Sequence, residues 1–209
     1  MKPYQDTENR ILGNLLRSPL QSKSMLALAK AAGLTYVTVH KAVPLLAKRK
    51  IVRMEKKGKA SLISADLEHA DTAKLSAAME NEKSIFLKKH PELAVMVREI
   101  GEALAGSFYI LLLFGSHAKE NAKKDSDTDL LFIVPDGEKR ETYSESINNA
   151  LKIFPKGRND YGLFKAKDFM DMLNQKGTAG REAFLNSIVL FGAEQYYAMV
   201  KEYARTKGY

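Results

Sequence analysis

The sequence predicts an α+β protein of two domains: a basic N-terminal domain of three helices and a β-hairpin, and a C-terminal domain with a mixed sheet and flanking helices. Three observations predict this fold class. Helical stripes of apolar residues alternate with short continuous apolar runs along the 209 residues. Two such runs near residue 120 flank a polar loop. Residues 1–65 contain 13 Lys and Arg against 3 Asp and Glu, a net charge of +10, whereas the whole chain carries +8 and the remainder therefore −2. The predicted limits are 1–65, a helical connector over 66–105, and 106–209.

The first domain begins with an apolar stripe that predicts a helix over residues 6–18. A second short helix is predicted over 23–32, and Thr35 is the expected N-cap of a third. This third helix is expected to bury Val39, Val43, Leu46 and Ala47. Pro44 removes a backbone hydrogen bond inside it, which predicts either a kink there or a groove-reading part that ends before this proline.

Two short strands are predicted next, over residues 51–54 and 60–63, with a hairpin tip at residues 55–59 between them. Three helices and a basic hairpin resemble a winged helix-turn-helix over residues 6–65, and Ala29, Gly33 and Val39 match its spacing. The resemblance implies that the third helix enters the DNA major groove and that wing lysines contact phosphates. The DNA-facing candidates are Tyr36, Thr38, His40, Lys41, Lys56, Lys57 and Lys59. A role in protein contacts and a merely solubilising basic surface are the alternatives.

The connector is expected to form two helices broken at His90–Pro91, the second with an apolar face. That face consists of Leu93, Met96, Val97, Ile100 and Leu104. Further helices are predicted over 141–153, 166–175, 181–191 and 193–206. The tyrosines near the C-terminus (Tyr196, Tyr197, Tyr203 and Tyr209) suit either base stacking or helix packing.

The segment from Tyr109 to Val134 contains the most informative pattern. An apolar run ending at Phe114 suits a strand buried on both faces, and it leads into Gly115 and Ser116. A second apolar run follows Asp127-Thr128-Asp129. In an extended chain residues i and i+2 point to the same side, so Asp127 and Asp129 direct two carboxylates to one place. Such a pair repels unless a cation lies between them, and oxygen ligands suit Mg²⁺.

This segment resembles the signature of the nucleotidyltransferase superfamily, which has the DNA polymerase β-like fold, and is most similar to its small minimal members. The matching positions are Gly115, Ser116, Ala118, Ser126, Asp127, Asp129 and Leu130. The family often has Arg-Gly where this chain has Lys119-Glu120. Lys119 keeps the positive charge of that arginine but lacks its planar guanidinium group, and Glu120 adds a negative charge.

The resemblance implies a fold with flanking helices and the transfer of a nucleoside monophosphate from an NTP such as ATP, with release of pyrophosphate. The acceptor is a protein, a nucleic acid or a small molecule. Gly115 and Ser116 would hold the β- and γ-phosphates with help from Lys119. Asp127 and Asp129 would bind one or two Mg²⁺ ions, with Mn²⁺ as the alternative.

The family also uses a third carboxylate on a later strand. Asp160 is the best candidate, as a metal ligand or as the acceptor of the substrate's proton, and a simple turn residue is the alternative. Asp136 and Asp168 are weaker candidates. The run from Ile188 to Gly192 resembles the family's closing apolar stretch and equally suits a buried segment ended by a glycine turn.

Composition excludes some classes of protein. The chain has no cysteine, so no disulfide framework or thiolate metal site is expected. It has no apolar run near the roughly 20 residues that span a membrane, and its polar N-terminus favours a cytoplasmic location. Two other functions stay open: a transcriptional regulator with a nucleotide-sensing or inactive transferase-like domain, and an antitoxin whose partner is a HEPN-type toxin. A homodimer is also left open.

Overall fold

The computed structural model describes residues 3–58, 60–123, 125–154 and 159–208. Lys59, one of the predicted DNA-facing residues, and Tyr209 lie outside them. The described chain is a mixture of helices with two sheets, which is compatible with the predicted α+β class. By contacts within the chain it divides into two compact units, Met1–Glu82 with Ala193–Tyr209, and Lys83–Gly192. The predicted domain limits at residues 65 and 105 stay a prediction.

Up to residue 89 the chain combines helices with short strands. The elements are α1 (Pro3–Leu16), β1 (Lys23–Ser24), α2 (Met25–Ala32), α3 (Tyr36–Lys48), β2 (Val52–Lys57), β3 (Ala60–Ala65) and α4 (Thr72–Lys89). The boundary between the two units falls inside α4.

The remaining elements begin at the predicted break before Pro91. They are α5 (Pro91–Ala103), β4 (Ile110–Phe114), α6 (Gly115–Ala118), β5 (Thr128–Val134), α7 (Arg140–Leu151), β6 (Asn159–Lys165), α8 (Ala166–Met172), α9 (Ala179–Leu185), β7 (Ile188–Phe191) and α10 (Ala193–Lys207). Among the described residues, no helix is both long enough and apolar enough to cross a membrane.

Helix caps determine where the first unit's short helices begin and end. The Ala27 amide donates to the Ser24 hydroxyl at the start of α2 (3.2 Å), and Gly33 ends that helix with φ +61°. Thr35 is the N-cap of α3, as predicted, because its hydroxyl accepts from the Thr38 amide at 3.1 Å. The tight turn that results places α2 and α3 next to each other in the chain with only three residues between them.

The third helix continues through Pro44 to Lys48, so it does not end at this proline. Pro44 and His40, whose carbonyl loses its intrahelical partner, are both exposed residues. A lost bond at the surface costs less than one in the core, because the free carbonyl remains in contact with solvent. The buried face of α3 consists of Val39, Ala42, Val43 and Leu46, and Ala47 is half-buried.

The small sheet of the first unit has the strand order β1-β3-β2, with both pairings antiparallel. The hairpin is longer than the sequence predicted. Strand β2 runs to Lys57, which pairs with Ala60, so Glu55, Lys56 and Lys57 belong to the strand and not to the tip. The sequence placed the end of the strand too early because the alternation of apolar residues stops before the backbone pairing does.

The C-terminal helix α10 belongs to the first unit. Tyr196 and Tyr197 are fully buried, and the Tyr197 hydroxyl donates to the Leu16 carbonyl at 3.3 Å. Tyr203 is also buried. These three side chains therefore serve helix packing, and the base-stacking alternative does not apply to them.

The second unit is built on a four-stranded mixed sheet of order β6-β5-β4-β7. Strands β5 and β6 are parallel, and the other pairs are antiparallel. Leu111, Leu112 and Leu113 of β4 and residues 130–134 of β5 are buried, which confirms the prediction of strands covered on both faces. The predicted apolar face of α5 is buried as well.

The prediction of a helix over residues 181–191 is wrong for the second half of that range. Helix α9 ends at Leu185, and residues 188–191 form the edge strand β7, which pairs with β4. A short apolar run has the same periodicity signal in a buried strand and a buried helix, so pairing with β4 decided between them.

Candidate functional site

Gly115 follows directly after β4 and makes a turn that few other residues could adopt. Its φ is +68°, in the left-handed region. A Cβ atom at this position would lie 1.9 Å from the Asp129 Oδ2 atom and 2.8 Å from its Cγ atom. The Asp129 carboxylate therefore lies directly against the Gly115 backbone, in space that any side chain would occupy. The glycine of the motif and its second aspartate form one packed pair.

Strand pairing places a second carboxylate beside Asp129. In the parallel pair β5–β6, Asp129 is the register partner of Asp160, and Thr128 that of Asn159. Register partners in neighbouring strands point to the same face of a sheet. Asp127 lies two residues before Asp129 at the entry to β5. The structure thus positions all three predicted carboxylates at one end of the sheet.

The pKa of Asp129 reports the same proximity. Burial raises the pKa of this carboxyl above its ordinary value, and the Asp160 and Asp127 carboxylates raise it further. His117 and Lys119 act in the opposite direction and are too weak to cancel the rise. The site has more negative charge than its own residues neutralise.

The excess of negative charge at this site raises the question of whether its residues fit a metal ion. Hard divalent cations such as Mg²⁺ prefer several carboxylate oxygens, and the site offers Asp127, Asp129 and Asp160. Asp127 and Asp160 are exposed and Asp129 is half-buried, so the group is reachable from solvent. A divalent cation would supply the positive charge that the residues around Asp129 do not provide. The donor set fits such an ion.

The two weaker candidates for the third carboxylate have other partners. The Lys167 amide donates to Asp136 Oδ1 at 3.1 Å, so Asp136 supports the start of α8. Asp168 forms an ion pair with Arg140. Among these three acidic residues, Asp160 is the one that strand register pairs with Asp129.

The loop between α6 and β5 is held by its own hydrogen bonds. The Lys123 amide donates to the Ser126 hydroxyl at 2.8 Å, and the Asn121 amide donates to the Ser116 carbonyl at 3.1 Å. Ser116 is half-buried and Lys119 is exposed. The first contact closes a turn just before Asp127, and the second closes the turn that follows Ser116.

Glu120, where the chain departs from the family pattern, has φ +55°. A side chain in this left-handed conformation costs roughly 1–2 kcal/mol, which a glycine would avoid. The backbone of the loop thus has the shape that suits the family's glycine. The Lys89 ammonium lies 3.8 Å from the Glu120 carboxylate, and both groups are exposed. An exposed pair of this length contributes little.

His117 is a site residue that the sequence reasoning missed. It lies in α6 next to Ser116, its Nε2 atom is 3.4 Å from the Ser126 carbonyl oxygen, and it lowers the pKa of Asp129. Its position directly after the Gly-Ser pair was the available signal. A cavity of about 290 Å³ borders His117, Thr128 and Asn159. Thr128 and Asn159 precede Asp129 and Asp160 by one residue on their strands and therefore point to the opposite face of the sheet.

The predicted DNA-facing residues lie in the first unit. Tyr36 and His40 are exposed with ring centroids 5.8 Å apart, and Lys41 is exposed one residue further along α3. Thr38 lies in the first turn of α3, and its hydroxyl lies 2.8 Å from that of Thr35, inside the cap of the helix. Lys56 and Lys57 are exposed on β2.

A second acidic group lies in the same unit, where Asp66, Glu68 and His69 have oxygen and nitrogen atoms within 4.8 Å of one another. Arg53 donates to Asp66 at 3.3 Å and to Glu68 at 2.7 Å. His69 and Arg53 hold the pKa of Asp66 below its ordinary value although burial opposes this. The cluster has its own cation and connects β2 to the residues after β3.

Comparison with known proteins gives one match. Residues 109–168 match the family model of the nucleotidyltransferase domain. The matched range contains Gly115, Ser116 and the three carboxylates. The match supports the resemblance of this segment to the nucleotidyltransferase superfamily, whose members are transferases. No curated protein and no solved structure was found to match the chain.

Proposed function

We propose that this protein is a Mg²⁺-dependent nucleotidyltransferase that transfers a nucleoside monophosphate from ATP or another NTP to an acceptor hydroxyl. The observation that supports this most directly is the contact between Gly115 and Asp129, with Asp160 in register beside it. The match of residues 109–168 to the nucleotidyltransferase domain supports the same reaction class. Mn²⁺ is the alternative ion.

In the proposed reaction an oxygen atom of the acceptor forms a bond to the α-phosphorus. The bond from that phosphorus to the α,β-bridging oxygen breaks, and pyrophosphate leaves with the electron pair. Asp160, an exposed carboxylate on the strand beside Asp129, receives the acceptor's proton. Ser116 and Lys119 orient the β- and γ-phosphates.

Asp127, Asp129 and Asp160 would hold the metal. When bound, one or two Mg²⁺ ions neutralise phosphate charge and align the attacking and leaving oxygens. Because Gly115 has no side chain, the Asp129 carboxylate can stay in place against its backbone. The packing between strand end and glycine turn thereby determines the position of the central ligand.

The first test is thermal unfolding of the full-length protein with ATP, in the presence and absence of Mg²⁺. ATP at 100 times its Kd is expected to stabilise the protein by about 2.7 kcal/mol, and only with Mg²⁺. Asp127→Ala is expected to abolish this effect. Asp136→Ala, which changes a carboxylate outside the site, is the control and is expected to keep it.

The second measurement is transfer of label from α-labelled NTPs to protein, RNA and small-molecule acceptors. Stabilisation with transfer supports the enzyme. Stabilisation without transfer to any acceptor favours a nucleotide-sensing regulator. If the wild type shows neither result with any NTP, the nucleotide site itself is rejected. A HEPN-type partner is tested by adding that class of protein as acceptor.

We also propose that residues 6–65 of the first unit form a winged helix-turn-helix that binds DNA. Its order of elements from α1 to β3, the strand order β1-β3-β2 and the net charge of +10 over residues 1–65 support this proposal. In this arrangement α3 enters the major groove, and Lys56 and Lys57 contact phosphates.

Binding of the full-length protein to duplex DNA is expected to weaken linearly on a logarithmic salt scale. Removing one phosphate contact, by Lys57→Gln, is expected to reduce the slope by about 1. Lys176→Gln changes an exposed lysine of the second unit and is expected to leave the slope unchanged. Fluorescence anisotropy from about 50 to 200 mM salt measures both. A slope near zero for the wild type rejects the DNA proposal.

A further inference from the structure

The exposed face of α3 combines apolar and cationic residues. Val37, Lys41, Leu45 and Lys48 follow one another at intervals of four, four and three residues, so they lie on one side of the helix. Val37 is 58% exposed and Leu45 is 49% exposed. Single exposed aliphatic residues are common. Here two exposed aliphatic residues alternate with two lysines on one helix face, so the surface is both apolar and positively charged.

Neither α2 nor α3 contains an acidic residue. Lys41 and Lys48 therefore have no carboxylate on their own helix, and Lys56 and Lys57 add further positive charge on β2. A partner for this face must offer negative charge together with apolar groups. A second copy of this chain is disfavoured, because it would place two segments of charge +10 against each other.

Duplex DNA has the required chemistry. Its major groove admits an α-helix, its phosphates flank the groove, and thymine presents a 5-methyl group on the groove floor. Aliphatic side chains contact this methyl group, whereas they form no hydrogen bond to guanine or cytosine. The geometry points to recognition of thymine methyl groups by Val37 and Leu45, with Lys41 and Lys48 close to the phosphates. This inference rests on the proposed binding of DNA and adds the base feature that is recognised.

The test compares two duplexes that differ in one chemical group. Alternating d(A-T) DNA and the same duplex with deoxyuridine in place of thymidine differ only in the 5-methyl group. The full-length protein is expected to bind the thymine duplex more tightly, by roughly fourfold for each methyl group that is buried. The salt slope is expected to be the same for both duplexes, because the phosphates are identical.

Two valine variants localise the effect. Val37→Ala is expected to reduce affinity for the thymine duplex by roughly fourfold for the methyl group that Val37 contacts, to keep the part of the preference that Leu45 provides, and to leave binding to the uracil duplex almost unchanged. Alanine favours helices, so this exposed change preserves α3. Val95→Ala removes the same two methyl groups from a 40% exposed valine of α5 and is expected to leave the preference intact.

The outcomes separate this inference from the DNA proposal on which it rests. Equal affinity for the two duplexes, with measurable binding to both, overturns methyl recognition and leaves DNA binding in place. An equal loss of affinity for both duplexes in Val37→Ala also overturns it. Absence of binding to either duplex overturns both proposals. A concentration-dependent dimer that Val37→Ala dissociates, seen by sedimentation, would assign this face to a second copy and overturn the inference as well.

Discussion

Gly115→Ala is expected to abolish Mg²⁺-dependent stabilisation by ATP and to reduce nucleotidyl transfer by roughly 10–100-fold or more. The new Cβ atom would lie 1.9 Å from Asp129 Oδ2, so the Asp129 carboxylate has to move away from its position beside Asp160. Misplacing one metal ligand has at least the effect of removing its outer-shell partner, which typically costs roughly 10–100-fold. Thermal shift with and without MgATP, together with label transfer, measures the result.

Gly106→Ala is the matched control for the backbone. Gly106 has φ +81° and belongs to the same unit, yet a Cβ atom there would have nothing within 4 Å. Both substitutions are expected to cost roughly 1–2 kcal/mol of stability through the left-handed conformation. Gly106→Ala keeps its MgATP response, because it has no carboxylate to displace. Normal ATP binding by Gly115→Ala would show that the Asp129 position is not needed.

Asp129→Asn is expected to stabilise the nucleotide-free protein and at the same time to abolish its response to MgATP. Burial and the Asp160 and Asp127 carboxylates raise the pKa of Asp129, so its charged form is unfavourable in the folded state. An amide of the same shape removes the repulsion and also removes a hard anionic ligand. We therefore expect Asp129→Asn to raise the melting temperature without ATP and to abolish nucleotidyl transfer, so that stability increases while activity is lost.

The pH dependence of this stabilisation follows from the direction of the pKa shift. A carboxyl with a raised folded-state pKa binds its proton more tightly when folded, so the metal-free wild type gains stability from this group as the pH falls through that pKa. The advantage of Asp129→Asn is therefore largest near neutral pH and disappears in acid, where the wild-type group is neutral too. Melting curves from about pH 7 to about pH 3, below the ordinary pKa of Asp, measure the difference.

Asp136→Asn is the control for this experiment. Its amide oxygen can still accept the hydrogen bond from the Lys167 amide, and Asp136 is absent from the groups that shift the pKa of Asp129. Little change is expected in stability without ATP or in the response to MgATP. If Asp129→Asn lowers the melting temperature without ATP at neutral pH, the three carboxylates do not repel one another.

The two predictions distinguish geometry from charge at one site. Gly115→Ala leaves all three carboxylates present but moves one, whereas Asp129→Asn keeps the shape and removes one charge. If both variants lose MgATP binding and only the second becomes more stable without ATP, then position and charge are separately required. Loss of stability in both would instead indicate that the Asp129 carboxylate has a structural role in the metal-free fold.

Local features of the sequence were sufficient for much of the second unit. Continuous apolar runs predicted β4 and β5 because a strand buried on both faces needs apolar residues at every position. The alternation of side chains in an extended chain predicted that Asp127 and Asp129 share one side. The helical stripe in α5 and the Thr35 cap in α3 depend on residues within one or a few turns, and both are observed.

Contacts between distant parts of the chain were beyond such reasoning. Asp160 is the partner of Asp129 because β6 pairs in parallel with β5 in one register, and a shift by one residue would turn its side chain to the other face. Residues 188–191 form a strand because they pair with the edge of β4. The contact of Asp129 with the Gly115 backbone depends on the turn after β4 and on the pairing of Phe114 with Asp129.

The sequence alone therefore determined the composition of the site: a glycine, a serine and two aspartates in a fixed order between two buried strands. It determined the basic character of residues 1–65 in the same way, since charge is a sum over residues. Only the tertiary structure decided which third carboxylate stands beside that pair and that α10 returns to the first unit. Strand register and helix docking are set by long-range packing, for which no short stretch of sequence has a local signal.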